Sequence, residues 1–389
     1  MCLLHHIAGA FTHQPEELKN KISTKAGEFI KRAFGDIDPA RLIDYHTHVA
    51  GIGKGTGAFV NPKMLTWKHP FHHLKFRVYL SAGAVTDIER ADAEIVERLV
   101  RLVSNIEGHG RHRLLAFDKN YNRDGTPNLE KTEFYVPNDY VFELAEQHPD
   151  LFEPVISVNP FRPDAPAELE RGAKRGARIV KWLPNAMGIN PSDPQCDPFY
   201  QKMKALGLVL LSHGGEEKAV EAKEDQRLGN PLLLRRALDA GVKVIVAHCA
   251  GLGNNIDLDD RERKRVPNFD LFLRLMDEKR YQGLLFADIS AMTQYNRIGR
   301  PLTTILKRED LHERLVNGSD YPLPAVNVLI RTGALVKQGY IATEERACLN
   351  EIYDYNPLLF DFVLKRAIKV PGTEKRLPAS IFMANTELV

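Results

Sequence analysis

The chain has 389 residues, 43% hydrophobic and 27% charged, with 53 basic and 51 acidic side chains and a formal net charge of +2. That apolar content suits a large core, and the charge balance gives no reason to expect nucleic acid or an anionic membrane as partner. Four cysteines, Cys2, Cys196, Cys249 and Cys348, lie far apart without a Cys-x-x-Cys pair, which argues against a thiolate zinc site and for reduced, intracellular thiols.

The N-terminal "MCLLHHIAGAF" has no basic leader, and His5 and His6 break its apolar run, so it does not read as a signal peptide. No apolar run is long enough to span a bilayer. The expectation is a soluble, cytoplasmic protein with a small molecule as partner; a homo-oligomer is left open.

"PEELKNKISTKAGEFIKRAFG" predicts a helix within the first 40 residues. "LIDYHTH" is the first strand. The Gly- and aromatic-rich stretch 49–75, containing His69, His72 and His73, reads as a long loop able to act as a lid. A helix over about 87–107 follows, with Thr86 as cap. "HRLLAFD" is the second strand, and "NDYVFELAEQHP" a helix capped by Asn138. "FEPVISVNP", "ARIVKWLP", "LVLLSHGG", "VKVIVAHCAG", "GLLFADISA" and "RLVNGSDYP" are the third to eighth strands, with a helical segment between each. Helices at about 326–337 and 343–353, and in "NPLLFDFVLKR", close the chain.

Eight strand–helix repeats predict an α/β fold, a (β/α)8 TIM barrel with an N-terminal helical extension and C-terminal helices. The expected division is residues 1–40 as the extension packed on the barrel and 41–389 as the barrel itself. No Gly-x-Gly-x-x-Gly leads from a strand into a helix, so a dinucleotide fold is disfavoured.

In such barrels the site lies at the C-terminal ends of the strands. Strand one ends with His46 and His48, which alternation places on one face. Strand four carries Lys181, strand five ends with His213, strand six with His248 and strand eight with Asp320. Five of these six are good metal ligands. Asp118, Lys119, Asn159 and Asp288 end other strands, and Trp182, Asn185, Arg77 and Tyr321 are secondary candidates for substrate contact.

"DYHTH", "VKWLP", "LLSHGG", "VAHCAG" and "NGSDYP" resemble the strand-end motifs of the amidohydrolase superfamily, and "VKWLPNAMGINP" with "YDYNPLLFDFV" resembles its amidohydrolase-2-related branch. The resemblance implies that His46, His48, His213, His248 and Asp320 surround one or two divalent ions, Zn2+ first, with Mn2+ or Fe2+ as alternatives. It also implies that a carboxylated Lys181 bridges two ions. Read from the residues alone, a cationic Lys181 instead pairs with a carboxylate such as Asp118 or Asp288, or holds a substrate carboxylate.

A bound divalent ion lowers the pKa of water from 15.7 to roughly 7. The expected function is therefore a metal-dependent hydrolase in which activated water attacks an amide, lactone or other ester bond. Asp320 accepts the proton, and His248 is the second catalytic residue. The alternative is a single-metal, non-oxidative decarboxylase of a small carboxylic acid. A barrel that has lost catalysis is disfavoured, because buried polar groups without a role are costly.

Overall fold

The computed structural model describes residues 7–9, 13–220 and 222–388; Cys2, His5, His6 and most of the N-terminal apolar run lie outside the described residues. Strands occur at the eight expected places: β1 (Ile43–His48), β2 (Arg111–Leu115), β3 (Phe152–Val155), β4 (Ile179–Trp182), β5 (Val209–His213), β6 (Val244–Ala247), β7 (Leu285–Asp288) and β8 (Leu315–Val316). Helical segments separate them, among them Asn138–Gln147, Ala165–Lys174, Asp197–Ala205, Asn268–Asp277 and Arg300–Lys307. The fold is α/β, of TIM-barrel type, with helical extensions at both ends. Among the described residues, no helix is long and apolar enough to cross a membrane.

The chain divides into two compact units interleaved along the sequence. One comprises Met1–Val49, Lys63–His112 and Ser290–Asn385; the other comprises Ala50–Pro62, Arg113–Ile289 and Thr386–Val389.

In the second unit, β4, β5, β6 and β7 are parallel neighbours in that order, with Lys181 opposite Leu211, Leu211 opposite Ile245 and Ile245 opposite Phe286. Ile156, just past β3, bridges Val180 in the same parallel sense. Every residue of β4 to β7 is buried. Burial on both faces explains their near-continuous runs of Val, Ile and Leu.

In the first unit, β1 lies beside the β8 segment: Tyr45 donates to the Asn317 carbonyl at 2.9 Å and His48 to that of Tyr321 at 3.0 Å. On its other side, Arg111 donates to the Leu42 carbonyl at 3.0 Å. Only glycine fits at 110, where φ is +62° and a Cβ would sit 2.1 Å from the Leu42 oxygen. The N-terminal helical region packs on the C-terminal helices: the Phe34 and Phe362 rings lie 4.4 Å apart, and Ser23 Oγ donates to Glu351 at 2.7 Å.

Five local expectations need correction. The single N-terminal helix is two, Leu18–Lys21 and Thr24–Phe34, because the Ser23 side chain caps the second by accepting from the Ala26 amide. The stretch 49–75 is not structureless, since it holds a strand at Phe59–Val60 and the start of a helix, Pro70–Ala82. That helix has Pro70 at its first turn but no side-chain cap, and it leaves Phe71 87% exposed beside a 71% exposed Trp67, so its apolar pattern does not mark one buried face. Thr86 does not cap the next helix. Asp87 accepts from the Glu89 amide to start a short 3-10 turn, and the helix proper is Ala91–Ser104. Asn138 is not a cap either. Its side chain accepts from the Ser157 amide at 2.8 Å and donates to Glu168 at 2.6 Å, tying the segment after β3 to neighbouring helices. The helix expected over 326–337 is confined to Thr332–Lys337.

Candidate metal centre

β1 ends with His46 fully buried and His48 half-buried. Their Nε2 atoms are 3.2 Å apart. Asp320, in the turn after β8, brings Oδ1 to 3.5 Å from His46 Nε2 and 3.4 Å from His48 Nε2. The three donors form a nearly equilateral triangle. Ligands about 2.0–2.1 Å from one tetrahedral ion stand about 3.3 Å from each other, so the triangle has the edge length of a single coordination sphere. Donor set and spacing fit a divalent metal, and the centre is a metal-binding site of the two-imidazole, one-carboxylate kind.

The surroundings fix these three side chains. Asp44 is buried behind β1 and accepts from the His46 amide at 2.8 Å and the Ser319 amide at 3.0 Å. Its Oδ2 lies 3.5 Å from His112 Nδ1, and the same nitrogen lies 3.1 Å from Thr47 Oγ1. Burial alone would raise the Asp44 pKa, but the His112 imidazole, Ser319 and the His46 amide outweigh it and hold the carboxyl well below the usual range. His46 Nδ1 is 3.4 Å from Ser290 Oγ, an orienting contact on the ring nitrogen opposite the donor.

Asp320 adopts a left-handed backbone, φ +59°, and its amide donates to the His46 carbonyl at 2.7 Å. Such a conformation in a non-glycine residue costs roughly 1–3 kcal/mol and persists only where the surroundings impose it. Gly318 permits the close approach of the two segments: a Cβ there would fall 2.6 Å from His46 Cβ. Tyr321 is fully buried, and burial pushes its phenol up to about 12 against the opposing influence of Arg98.

In the second unit, His213 and His248 have ring centres 5.2 Å apart. His213 Nδ1 lies 3.5 Å from the buried Glu217, and His248 donates its amide to Asp288 Oδ1 at 2.9 Å. His248, Cys249 and Ala250 all have positive φ, between +48° and +57°, a strained turn directly after β6. Lys181 is 2% exposed, and its backbone is held by the Ile156 carbonyl and by Ser157 Oγ.

Asp118 is engaged by Arg162 at 3.0 Å and by the Asn159 and Lys119 amides, so it serves as a loop anchor; burial raises its pKa while Arg162 opposes. Trp182 belongs to the core, with Nε1 donating to the Val158 carbonyl and its ring against Phe199 and Tyr200. Asn185 is buried on the Gly215 carbonyl and Gln226. Arg77 faces solvent, and His73 is buried on the Met64 carbonyl.

Asp44, His112, Ser290, Gly318, Ser319 and Glu217 were not among the expected residues. Asp44 had a signal: it precedes His46 by two in a strand, so alternation gives it the same face. The others depend on tertiary approach.

Three comparisons bear on this geometry. A family model described as Amidohydrolase matches residues 113–349, more than half of the chain. Among solved structures, an uncharacterised TIM-barrel protein from Bordetella bronchiseptica is 17% identical, with 80% of this chain and 98% of that one covered and a TM-score of 0.48. A 5-carboxyvanillate decarboxylase from Novosphingobium aromaticivorans, solved with bound manganese, is 12% identical, with 89% and 96% covered and a TM-score of 0.47. A 4-oxalomesaconate hydratase from Rhodopseudomonas palustris is 13% identical, with 83% and 93% covered and a TM-score of 0.41. No curated protein matches this chain.

Proposed function

Because the chain belongs to the amidohydrolase family, we propose that this metal-dependent enzyme is a single-ion lyase that releases carbon dioxide from a small carboxylic acid without oxidation. The observation that carries the reading is the triangle of His46, His48 and Asp320, whose 3.2–3.5 Å edges suit one ion. Zinc is the first choice of metal, with manganese and iron next, since imidazole-rich sites accept each. A divalent ion held by these three residues would supply positive charge that binds the acid and stabilises the electron pair developing on the carbon that loses carbon dioxide. His46 and His48 act as neutral donors. Asp320 binds as a carboxylate; its oxygen not engaged with the imidazoles takes a proton from solvent and passes it to carbon as the carbon–carbon bond breaks. The electron pair of that bond takes up the proton on carbon, carbon dioxide leaves, and Asp320 is left as the carboxylate.

Hydrolysis of an amide, lactone or ester bond is the second reading. That chemistry would draw on the buried Lys181, once carboxylated, and on the His213–His248 pair as ligands. Asp320 would then accept a proton from water. We assign His248 a role in either chemistry. His248→Ala is expected to fold normally and lose most turnover; unchanged turnover at full metal content would remove that assignment.

The deciding experiment joins metal analysis to product analysis. Wild type and Lys181→Ala, purified without chelators, are measured for metal per chain. The metal-loaded protein is then given aromatic and unsaturated acids, lactones, esters and amides in deuterated water. One ion per chain in both proteins, with carbon dioxide released and deuterium at the vacated carbon, is the expected result. Two ions falling on substitution, with water consumed and no carbon dioxide, would replace the lyase with the hydrolase.

A further inference from the structure

We propose that Lys365, with its partner Asp361, is a positioning residue for the metal centre: it grips the Gly318 carbonyl and so holds the turn that carries Asp320. The inference rests on His46, His48 and Asp320 being the ion's ligands.

Asp361 and Lys365 are one turn apart on the helix Pro357–Ala367. Their side chains are 3% and 1% exposed, and Lys365 Nζ lies 2.5 Å from Asp361 Oδ2. The same ammonium donates to the Gly318 carbonyl at 2.6 Å. A buried ion pair is a poor source of stability, since apolar side chains of similar volume often serve as well or better. An apolar side chain cannot donate to Gly318. That contact is the part of the arrangement that requires a lysine.

Gly318 is where a small shift matters most. It packs against His46 so closely that a Cβ would fall 2.6 Å from His46 Cβ and 3.3 Å from Ser290 Cβ. Ser319 next to it donates to Asp44, and Asp320 follows in its left-handed conformation. Releasing the Gly318 carbonyl therefore loosens the fit of His46 and the aim of Asp320 together. A displacement on the order of 1 Å is enough to spoil such a centre. Lys365 also supplies the positive charge in a region where Asp44 and Asp320 both repel the carboxylate of Asp361.

The test compares wild type, Lys365→Met and the double variant Asp361→Asn/Lys365→Met. Each is stripped of metal, checked by circular dichroism and thermal melting, and titrated with zinc and with manganese in competition with a chromophoric chelator. The double variant carries no uncompensated buried charge, so it remains decisive if Lys365→Met alone does not fold. The expected result is a folded double variant with a Tm close to wild type and a metal Kd raised about 10–100-fold, as for loss of other outer-shell supports. A folded double variant with the wild-type Kd overturns the inference and leaves the metal reading intact, as does a lowered Tm with unchanged Kd. A wild type that binds neither metal overturns both.

Discussion

Asp320→Asn is expected to leave a folded protein that has lost most of its metal and nearly all of its turnover. The substitution keeps the shape of the side chain and the hydrogen bond from the residue-320 backbone amide to the His46 carbonyl. It removes the one negative charge among the three donors that stand 3.2–3.5 Å apart. Two imidazoles and a neutral amide make a much weaker site for a divalent cation. It also removes the group assigned to carry the proton, a role worth about 10²–10⁴ in rate. Metal per chain by elemental analysis and turnover of whichever substrate emerges are the readouts, with circular dichroism as the control for folding. Full metal and full turnover in the variant would place the centre elsewhere.

The second large effect is on stability. Asp44→Asn is expected to lower stability by about 3–5 kcal/mol, the usual result of removing one partner from a buried pair. Asp44 accepts from His46 and Ser319 and faces His112, all in the interior. Its folded pKa is depressed, so its contribution is complete above the unfolded value of about 3.9 and is lost as pH falls below it. Asp361 acts in the opposite sense. Burial, partly offset by Lys365, raises its pKa to about 6. The folded state then binds its proton more tightly than the unfolded state, so its contribution is present below about 4 and lost as pH rises through about 6. Metal-free wild type should therefore gain stability from pH 7 toward 5 and lose it below about 4. In Asp44→Asn the acid limb should be largely gone and the neutral-pH Tm lower by on the order of 10 °C. An unchanged acid limb would mean that other carboxylates govern it.

Much of this was legible in the sequence, and the reasons are specific. The strands β4 to β7 announced themselves because both faces are buried, as in "VIVA" and "LFAD", where every residue is apolar except the Asp288 that ends the strand. His46, His48 and Asp320 were legible because the ends of such strands are where a barrel keeps its chemistry. What failed were features decided by partners distant in sequence. Asn138 has the composition of a helix cap, but Ser157 and Glu168 claim its side chain. The helix Pro70–Ala82 carries four aromatic or histidine residues in its first seven positions and exposes Phe71 while it buries His73 and Phe76, so its apolar residues do not form the single stripe that marks a helix. Lys365 looked like one more basic residue in a terminal helix. Its burial follows from Asp361 one turn away and from a carbonyl 47 residues upstream.

The interleaving of the chain also has a consequence for biosynthesis. One compact unit is assembled from Met1–Val49, Lys63–His112 and Ser290–Asn385, and the bond from Ser319 to Asp44 spans 275 residues. The two histidines of β1 leave the ribosome well before the carboxylate that completes their triangle. At about 5–20 residues per second the nascent chain carries the unpaired half of its metal centre for some tens of seconds. During that time Asp44 lacks Ser319, and His46 lacks the turn that later presses on it. The full triangle can capture its ion only after Asp320 has emerged, so metal loading is a checkpoint on whether these two distant segments have met.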